Sequence, residues 1–311
     1  MISFRFHLVS LIGIFLALGI GIAVGATVVD QATVDYLERQ VRDVGSRAAR
    51  TNTENDRLAQ EVGRWDRFAE EAGDELITGR LAGRDVLVVA VQGIDHPPVE
   101  RLRQSIVAAG ARLQATVWLT SKLRLEQPGH VQALSEVMAV SPASADLVRR
   151  NLIDRLASEW ARSGGVSSLT ELRNAGFVEV EIPAGSTVPL ASVPLPNTRF
   201  VVVSGHKAEV ADELLARPLA AALARQAPIR VLAAESEKPG TDREPPAHAV
   251  FVGPLRGDEE ANKRLSTVDN LESYRGRVAA ILAIADLGPE GKVGHFGVGP
   301  RASRLVPEPA G

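Results

Sequence analysis

Six histidines, two methionines and no cysteine set the metal chemistry open to this 311-residue chain. Cu(I) prefers soft thiolate and thioether donors, and only Met1 and Met138 could supply one. The absence of thiols also excludes disulfides, Cys-ligated zinc, iron–sulfur clusters and cysteine nucleophiles. What remains is imidazole with carboxylate, a donor set for Cu(II) or Zn(II). His7, His96, His130, His206, His248 and His295 form no HxH or i,i+4 pair, so any shared site must be assembled by the fold. His96 and His206 directly follow expected strands, and His295 lies a little beyond another. Asp95, Ser204, Glu235 and Asp286 emerge at similar positions. In a parallel sheet all carboxyl ends face one edge, where ligands bind. His96, His206 and His295 are therefore the candidate metal residues, with Cu(II) and Zn(II) both possible ions. The competing reading is that polar residues are normal wherever a buried strand enters a loop.

Other motifs fall short of known chemistry. Val202-Val203-Ser204-Gly205-His206 follows an expected strand, but a nucleophile elbow needs glycine where Val202 stands. A Ser-Gly turn is the simpler reading. Gly291-Lys292-Val293-Gly294-His295-Phe296-Gly297-Val298-Gly299 is neither a dinucleotide fingerprint nor a P-loop, and no helix follows to present amides to phosphate. Tight turns and close backbone contacts account for it. Gln92-Gly93-Ile94-Asp95-His96 lacks the fingerprint as well. No motif marks an enzyme. A net charge of −3 and only 4% aromatic residues argue against nucleic acid. A 45% hydrophobic content suffices for a core.

The elements that would carry these residues begin with an apolar run. Phe6 to Val29 are 24 residues with His7 the only ionisable one. As a helix they extend about 36 Å, against a hydrocarbon core of about 30 Å. Arg5 precedes the run, while Asp30, Asp35 and Glu38 follow it. Positive charge stays inside, so the N-terminus is expected in the cytoplasm and the remainder outside. Val24-Gly25-Ala26 would serve as a cleavage site, but the run exceeds a usual signal-peptide core, which favours an uncleaved anchor. Gly13, Ala17, Gly21 and Gly25, each four apart, form a small-residue ridge on which two membrane helices can pack.

A heptad pattern follows. Positions 34, 41, 48, 55, 62, 69 and 76 act as a, and 37, 44, 51, 58, 65 and 72 as d, with charged residues filling most of the rest. A sustained 3.5 period with a two-in-seven stripe predicts a coiled coil rather than a helix lying on a globular domain. Asn55 at an a position would fix register and a two-stranded state, so a homodimer is expected. Ala48, Thr51, Ala69 and Ala72 make the coil marginal alone; the membrane ridge would add to it. Glu70, Glu71, Asp74 and Glu75 read as a solvated coil end.

After Gly79 the pattern becomes α/β. Strands are expected at 85–91, 113–119, 177–182, 199–204, 229–234, 247–252 and 278–285. Helices are expected at 99–109, 141–161, 169–174 and 208–226. Pro183 to Thr198, with four prolines, and Glu235 to Pro246 read as loops. The first strand is apolar throughout, as in a sheet buried on both faces. The expected fold is α/β, a parallel-type doubly wound sheet preceded by a transmembrane helix and a coiled-coil helix. The organisation is anchor 1–30, stalk 31–78, α/β domain 79–299 and disordered tail 300–311.

Three segments give a resemblance. The start through Gly25 with its Phe15-Leu16-Ala17-Leu18-Gly19 core, Ser266-Thr267-Val268-Asp269-Asn270 with Gly276-Arg277-Val278 and Ile281-Leu282-Ala283, and Gly294 to Gly299 are similar to the mycobacterial copper transport protein B (MctB) family. The resemblance spans nearly the whole chain and implies an actinobacterial envelope protein that helps keep intracellular copper low. The family is also described as an outer-membrane channel. In this chain Lys292 and Pro300 stand where the family carries more histidine. No set of about ten-residue alternating strands predicts a β-barrel. The sequence thus predicts a non-enzymatic, membrane-anchored envelope protein contributing to copper homeostasis. Its partners would be the membrane, a second copy and other envelope proteins. The alternative is a structural protein that holds a partner-binding α/β domain away from the membrane.

Overall fold

A computed structural model describes residues 4–141, 144–162, 168–186, 188–237 and 247–308. The chain divides into two units, 1–65 and 66–311. Helix α1, Phe4–Ile77, is continuous.

In the first unit the helix carries two successive surfaces. Phe6–Gly25 has a mean hydropathy of 2.5 and buries none of its residues, so it is long and apolar enough to cross a membrane. Further along, Val34, Leu37, Val41, Val44, Leu58, Val62 and Trp65 are all exposed despite their apolar character. Between these heptad positions run the i,i+4 pairs Glu38–Arg42 and Asp43–Arg47 at 3.1 and 3.3 Å, and Arg57 joins Glu54 and Glu61. Such pairs steady an otherwise unsupported helix. The side chains of residues 26–33 and 68–74, including Asp30, Ala69, Ala72 and the acidic coil end from Glu70 to Asp74, lie outside the described residues.

The second unit is a three-layer α/β/α sandwich. Its strands are β1 Asp85–Val91, β2 Arg112–Leu119, β3 Val178–Glu181, β4 Arg199–Gly205, β5 Val231–Ser236, β6 Leu265–Val268 and β7 His295–Phe296. The order is β3-β2-β1-β4-β5-β6-β7. All neighbours are parallel except β2 and β3. The sheet is therefore doubly wound, with its topological switch between β1 and β4. The antiparallel β3 is a departure at one edge: three helices, α3 Pro128–Met138, α4 Ala145–Ala161 and α5 Leu169–Asn174, intervene before it and return the chain in the opposite sense.

Alternation along β1 divides the core in two. Leu87, Val89 and Val91 face a layer with α3, α4, α5, α6 Ala216–Gln226 and α7 Val252–Gly257. Val86, Val88 and Ala90 face α2 His96–Ala108 and α8 Tyr274–Asp286, together with Ile77 and Leu81.

Two expected strands are corrected. Val278–Ala285 belongs to α8, which Ser273 caps by accepting from the Gly276 amide at 3.0 Å. The helix is buried nearly all round, so it shows no polar period. Residues 247–252 turn into α7, because Glu235 holds the amides of Val250, Phe251 and Val252. The expected helix at 208–226 begins only at Ala216. The helix expected from 141 begins at Ala145 with Ser144 as cap, and Pro142 lies outside the described residues. Residues 300–308 of the tail carry described contacts. Arg304 bridges Phe296, Gly297 donates to the Arg304 carbonyl at 2.9 Å, and Ser303 donates to that of His295 at 2.7 Å. Residues 309–311 of that tail and 238–246 of the charged loop lie outside the described residues.

Candidate functional site

The crevice at the carboxyl ends of β1 and β4 is where a doubly wound fold offers a ligand site. Here two loops close it. The Glu209 amide donates to the Gln92 carbonyl at 2.8 Å, and Lys207 pairs with Asp95 at 2.7 Å. Gly93 holds φ +96° directly against Lys207 and Glu209, where a Cβ would collide. No phosphate cradle remains there.

Beyond the crevice, towards β5 and β6, the same edge gathers buried acids. Ser204 Oγ donates to Asp212 Oδ1 at 2.5 Å, and Ser204 is fully buried. Burial pushes the Asp212 carboxyl up. Glu235 is buried and accepts three backbone amides at 2.7 to 2.9 Å. Desolvation outweighs those donors and pushes its pKa up to about 7. A cleft of about 270 Å³ opens beside His206, Lys207, Asp212 and Glu235.

Next along the edge, His248 Nδ1 lies 2.7 Å from Glu237 Oε2, while Glu272 accepts the Glu237 amide at 3.1 Å. Burial, then the neighbouring Glu272 and Asp269 charges, push the Glu237 carboxyl up; the His248 contact opposes them. The other Glu237 oxygen, Oε1, is buried with no partner among the described residues. Asp269, at the end of β6, is neutralised instead. Arg256 from α7 donates to it at 2.9 Å, and both side chains are wholly buried. Arg256 also holds Thr267 Oγ1 and the carbonyls of Phe296 and Pro300. Asp269 in turn accepts the amides of Val298 and Gly299 at 2.7 and 2.9 Å. The glycine-rich end is thus a backbone-contact site, as its spacing predicts. Gly297 and Gly299 approach Asp269 too closely for a side chain.

The three candidate histidines occupy separate settings. His96 opens α2 and stacks on Trp118 of β2 at 4.6 Å, on the far side of β1 from β4. His206 donates its amide to the Ser236 carbonyl, towards β5. His295 lies within β7. The pairings Val202↔Ala233, Ala233↔Thr267 and Thr267↔His295 set it level with Val202, four residues before His206. Three strand spacings put it about 14 Å across the sheet, and four residues put it about 13 Å along it. Its ring nitrogens contact Thr267 Oγ1 and the Asn262 carbonyl, both at 3.1 Å. Asp286, expected at the same edge, ends α8 instead. Of the residues expected to gather, Ser204, His206 and Glu235 do so. Among the described residues no group of three or more His, Asp and Glu side chains could hold a metal ion.

Sequence reasoning missed Asp212, Glu237, His248, Arg256 and Asp269 as interacting groups. A signal existed for Asp269 alone, within the Ser266–Asn270 segment that carried the resemblance. Burial pushes the Asp212, Glu235 and Glu237 carboxyls up along this edge.

The chain is similar throughout to proteins named for copper. It is 27% identical over 318 residues to the copper transporter MctB of Mycobacterium tuberculosis strain H37Rv, covering 96% of this chain and 97% of that protein. The Mycobacterium bovis protein of the same name matches equally. The Mycobacterium leprae protein is 26% identical over 328 residues, covering 98% and 99%. The family model described as copper transport outer membrane protein, MctB, matches residues 1–307, and this chain belongs to that family.

Proposed function

We propose that this chain is a single-pass, membrane-anchored envelope protein that contributes to copper efflux as a self-associated dimer. The observation that carries the copper role is the family match across residues 1–307. The apolar face of Phe6–Gly25 supports the anchor. The charge step from Arg5 to Asp30 supports a cytoplasmic N-terminus. The exposed heptad residues from Val34 to Trp65 support a parallel coiled coil with a second copy. Copper is cargo in this reading, not a resident cofactor, and no enzyme chemistry is assigned.

The described sheet has open edges, and its longest strand, β2, has eight residues. A membrane-spanning strand needs about nine to eleven. This favours a role beside a copper pathway over a barrel formed by this chain. The engagement of Glu235 and Asp269 with amides also favours the second reading, in which the α/β domain binds an envelope partner and moves no metal itself.

A deletion strain tests the copper role. It should accumulate intracellular copper and grow poorly on copper salts, and the full chain should restore it. Unchanged copper content and growth would leave the partner-binding reading. A reporter fused after Gly311 that is active only in the cytoplasm would overturn the orientation. A chain from residue 31 that sediments only as monomer at high concentration would overturn the coil as sufficient for dimerisation.

A further inference from the structure

A large cavity lies at the opposite, amino-terminal edge of the sheet and plays no part in the reading above. It measures about 870 Å³, and its charged lining comprises Arg84, Arg199, Asp286, Glu290, Lys292, Arg304 and Glu308. Arg84 immediately precedes β1 and Arg199 opens β4; Val86 pairs with Arg199, so the two arginines stand on neighbouring strand ends. Arg230, just before β5, adds a third positive charge whose field reaches Arg199.

Among the described residues these guanidiniums have no ion-pair partner. Arg199 is only 5% exposed, and its Nε and Nη2 donate to the Leu287 carbonyl at 2.9 and 2.6 Å. Among the described residues nothing accepts from its Nη1 or from the Arg84 side chain. None of Arg84, Arg199 and Arg230 forms an ion pair there either. Asp85, the acid whose field reaches Arg199, is already gripped by Arg112 at 2.5 and 2.7 Å. The rest of the wall compensates itself. Arg304 pairs with Glu308, and Lys292 faces Asp286. Among the described lining residues, Glu290 is the remaining acid. Burial, then the charges of Arg84 and Arg230, depress the Arg199 pKa to about 10.

A bound oxyanion would relieve this crowding. A carboxylate offers one charge, whereas a phosphate monoester offers about −1.5 to −2 and three acceptor oxygens, enough for two unpaired guanidiniums. We propose that this cavity binds a phosphate-bearing small molecule, gripped by Arg84 and the free Nη1 of Arg199.

Calorimetry on the full chain in detergent, with inorganic phosphate and glycerol phosphate as probes, tests this. Both should bind saturably and raise the thermal unfolding midpoint. Arg84→Gln changes an exposed side chain, so the fold should survive; it should weaken phosphate binding about tenfold or more. Arg199→Lys should weaken it similarly, while Lys207→Gln at the other edge should leave it intact. Competition with dihexanoyl phosphatidate separates the sources: displacement of glycerol phosphate identifies a lipid headgroup, and failure to displace identifies a free phosphate. No saturable binding at millimolar phosphate, or an unweakened Arg84→Gln variant that remains folded, would overturn the proposal.

Discussion

Asp269→Asn should be among the most damaging single substitutions in the α/β domain. The wild-type carboxylate is fully buried and takes three bonds: Arg256 Nη1 at 2.9 Å, the Val298 amide at 2.7 Å and the Gly299 amide at 2.9 Å. Asparagine keeps the shape and removes the charge. Arg256, wholly buried, then has only neutral acceptors, namely Thr267, Phe296 and Pro300. Breaking a buried pair from one side costs about 3–5 kcal/mol. A second route agrees: asparagine offers one acceptor oxygen, so its NH2 meets either the Val298 amide or the Arg256 and Gly299 donors, and each donor left unpaired costs about 1–3 kcal/mol. Against a typical stability of about 5–15 kcal/mol this is a large fraction, equivalent to about 10 °C in unfolding midpoint for a domain of this size. Tryptophan fluorescence reads it well, because Trp118 and Trp160 are buried in this domain. Hydrogen exchange should locate the loss at the amides of Gly297, Val298 and Gly299. Replacing both partners, Arg256→Met with Asp269→Leu, should recover part of the stability by removing the orphaned charge. A loss below about 1 kcal/mol for Asp269→Asn, or unchanged protection of those amides, would refute the reasoning.

Glu235 predicts a pH dependence. Burial raises its folded-state pKa from 4.5 to about 7, so the folded domain binds the extra proton. Its contribution is complete below about pH 4.5 and is lost as pH rises through about 7, amounting to roughly 3 kcal/mol at most. Denaturant titrations should show stability falling across that window and a shallower fall in Glu235→Gln; an equal slope in both proteins would count against the assignment. Gly93→Ala should destabilise by about 1–3 kcal/mol, since φ is +96° and the new Cβ meets the Lys207 backbone; an unshifted denaturation midpoint would contradict that. Asn55→Leu should strengthen self-association while loosening its stoichiometry, as sedimentation equilibrium would show; a weaker assembly would argue against Asn55 at a core position.

What could be read in the sequence follows the contrast each element makes with water. The run of β1 and the Pro97-Pro98 start of α2 have no rival pattern, and both stand within a few residues of expectation. α8 failed for a physical reason. Its buried face includes Tyr274, Gly276 to Ile281, Ala283 and Ile284, so the apolar run Val278–Ala285 carries no 3.6-residue period and imitates a central strand. Ser273 three residues before Gly276 was the available capping signal. β6 escaped for the opposite reason. Leu265-Ser266-Thr267-Val268 looks half polar, yet Ser266 and Thr267 are buried because Gly294 and Arg256 donate to their hydroxyls. The orientation of β3 was not readable, since direction depends on how α3 to α5 pack and not on the strand's own residues.

The same logic separates the family resemblance from the chemistry its name implies. Ser266–Asn270 and Gly294–Gly299, which made the chain recognisable, meet across the β6–β7 ladder and close around the Arg256–Asp269 pair. Ser266 accepts the Gly294 amide, His295 contacts Thr267, and Asp269 accepts Val298 and Gly299. Nearly every polar group in these two segments is therefore engaged in joining the edge strand to the sheet. His295, one of the three candidate metal donors, has both nitrogens in that network, and burial, then the nearby Arg256 charge, push its pKa down. A copper ion would have to displace the hydrogen bond at one ring nitrogen to use it, while the other nitrogen keeps its own. The segments most diagnostic of the family thus specify an architecture.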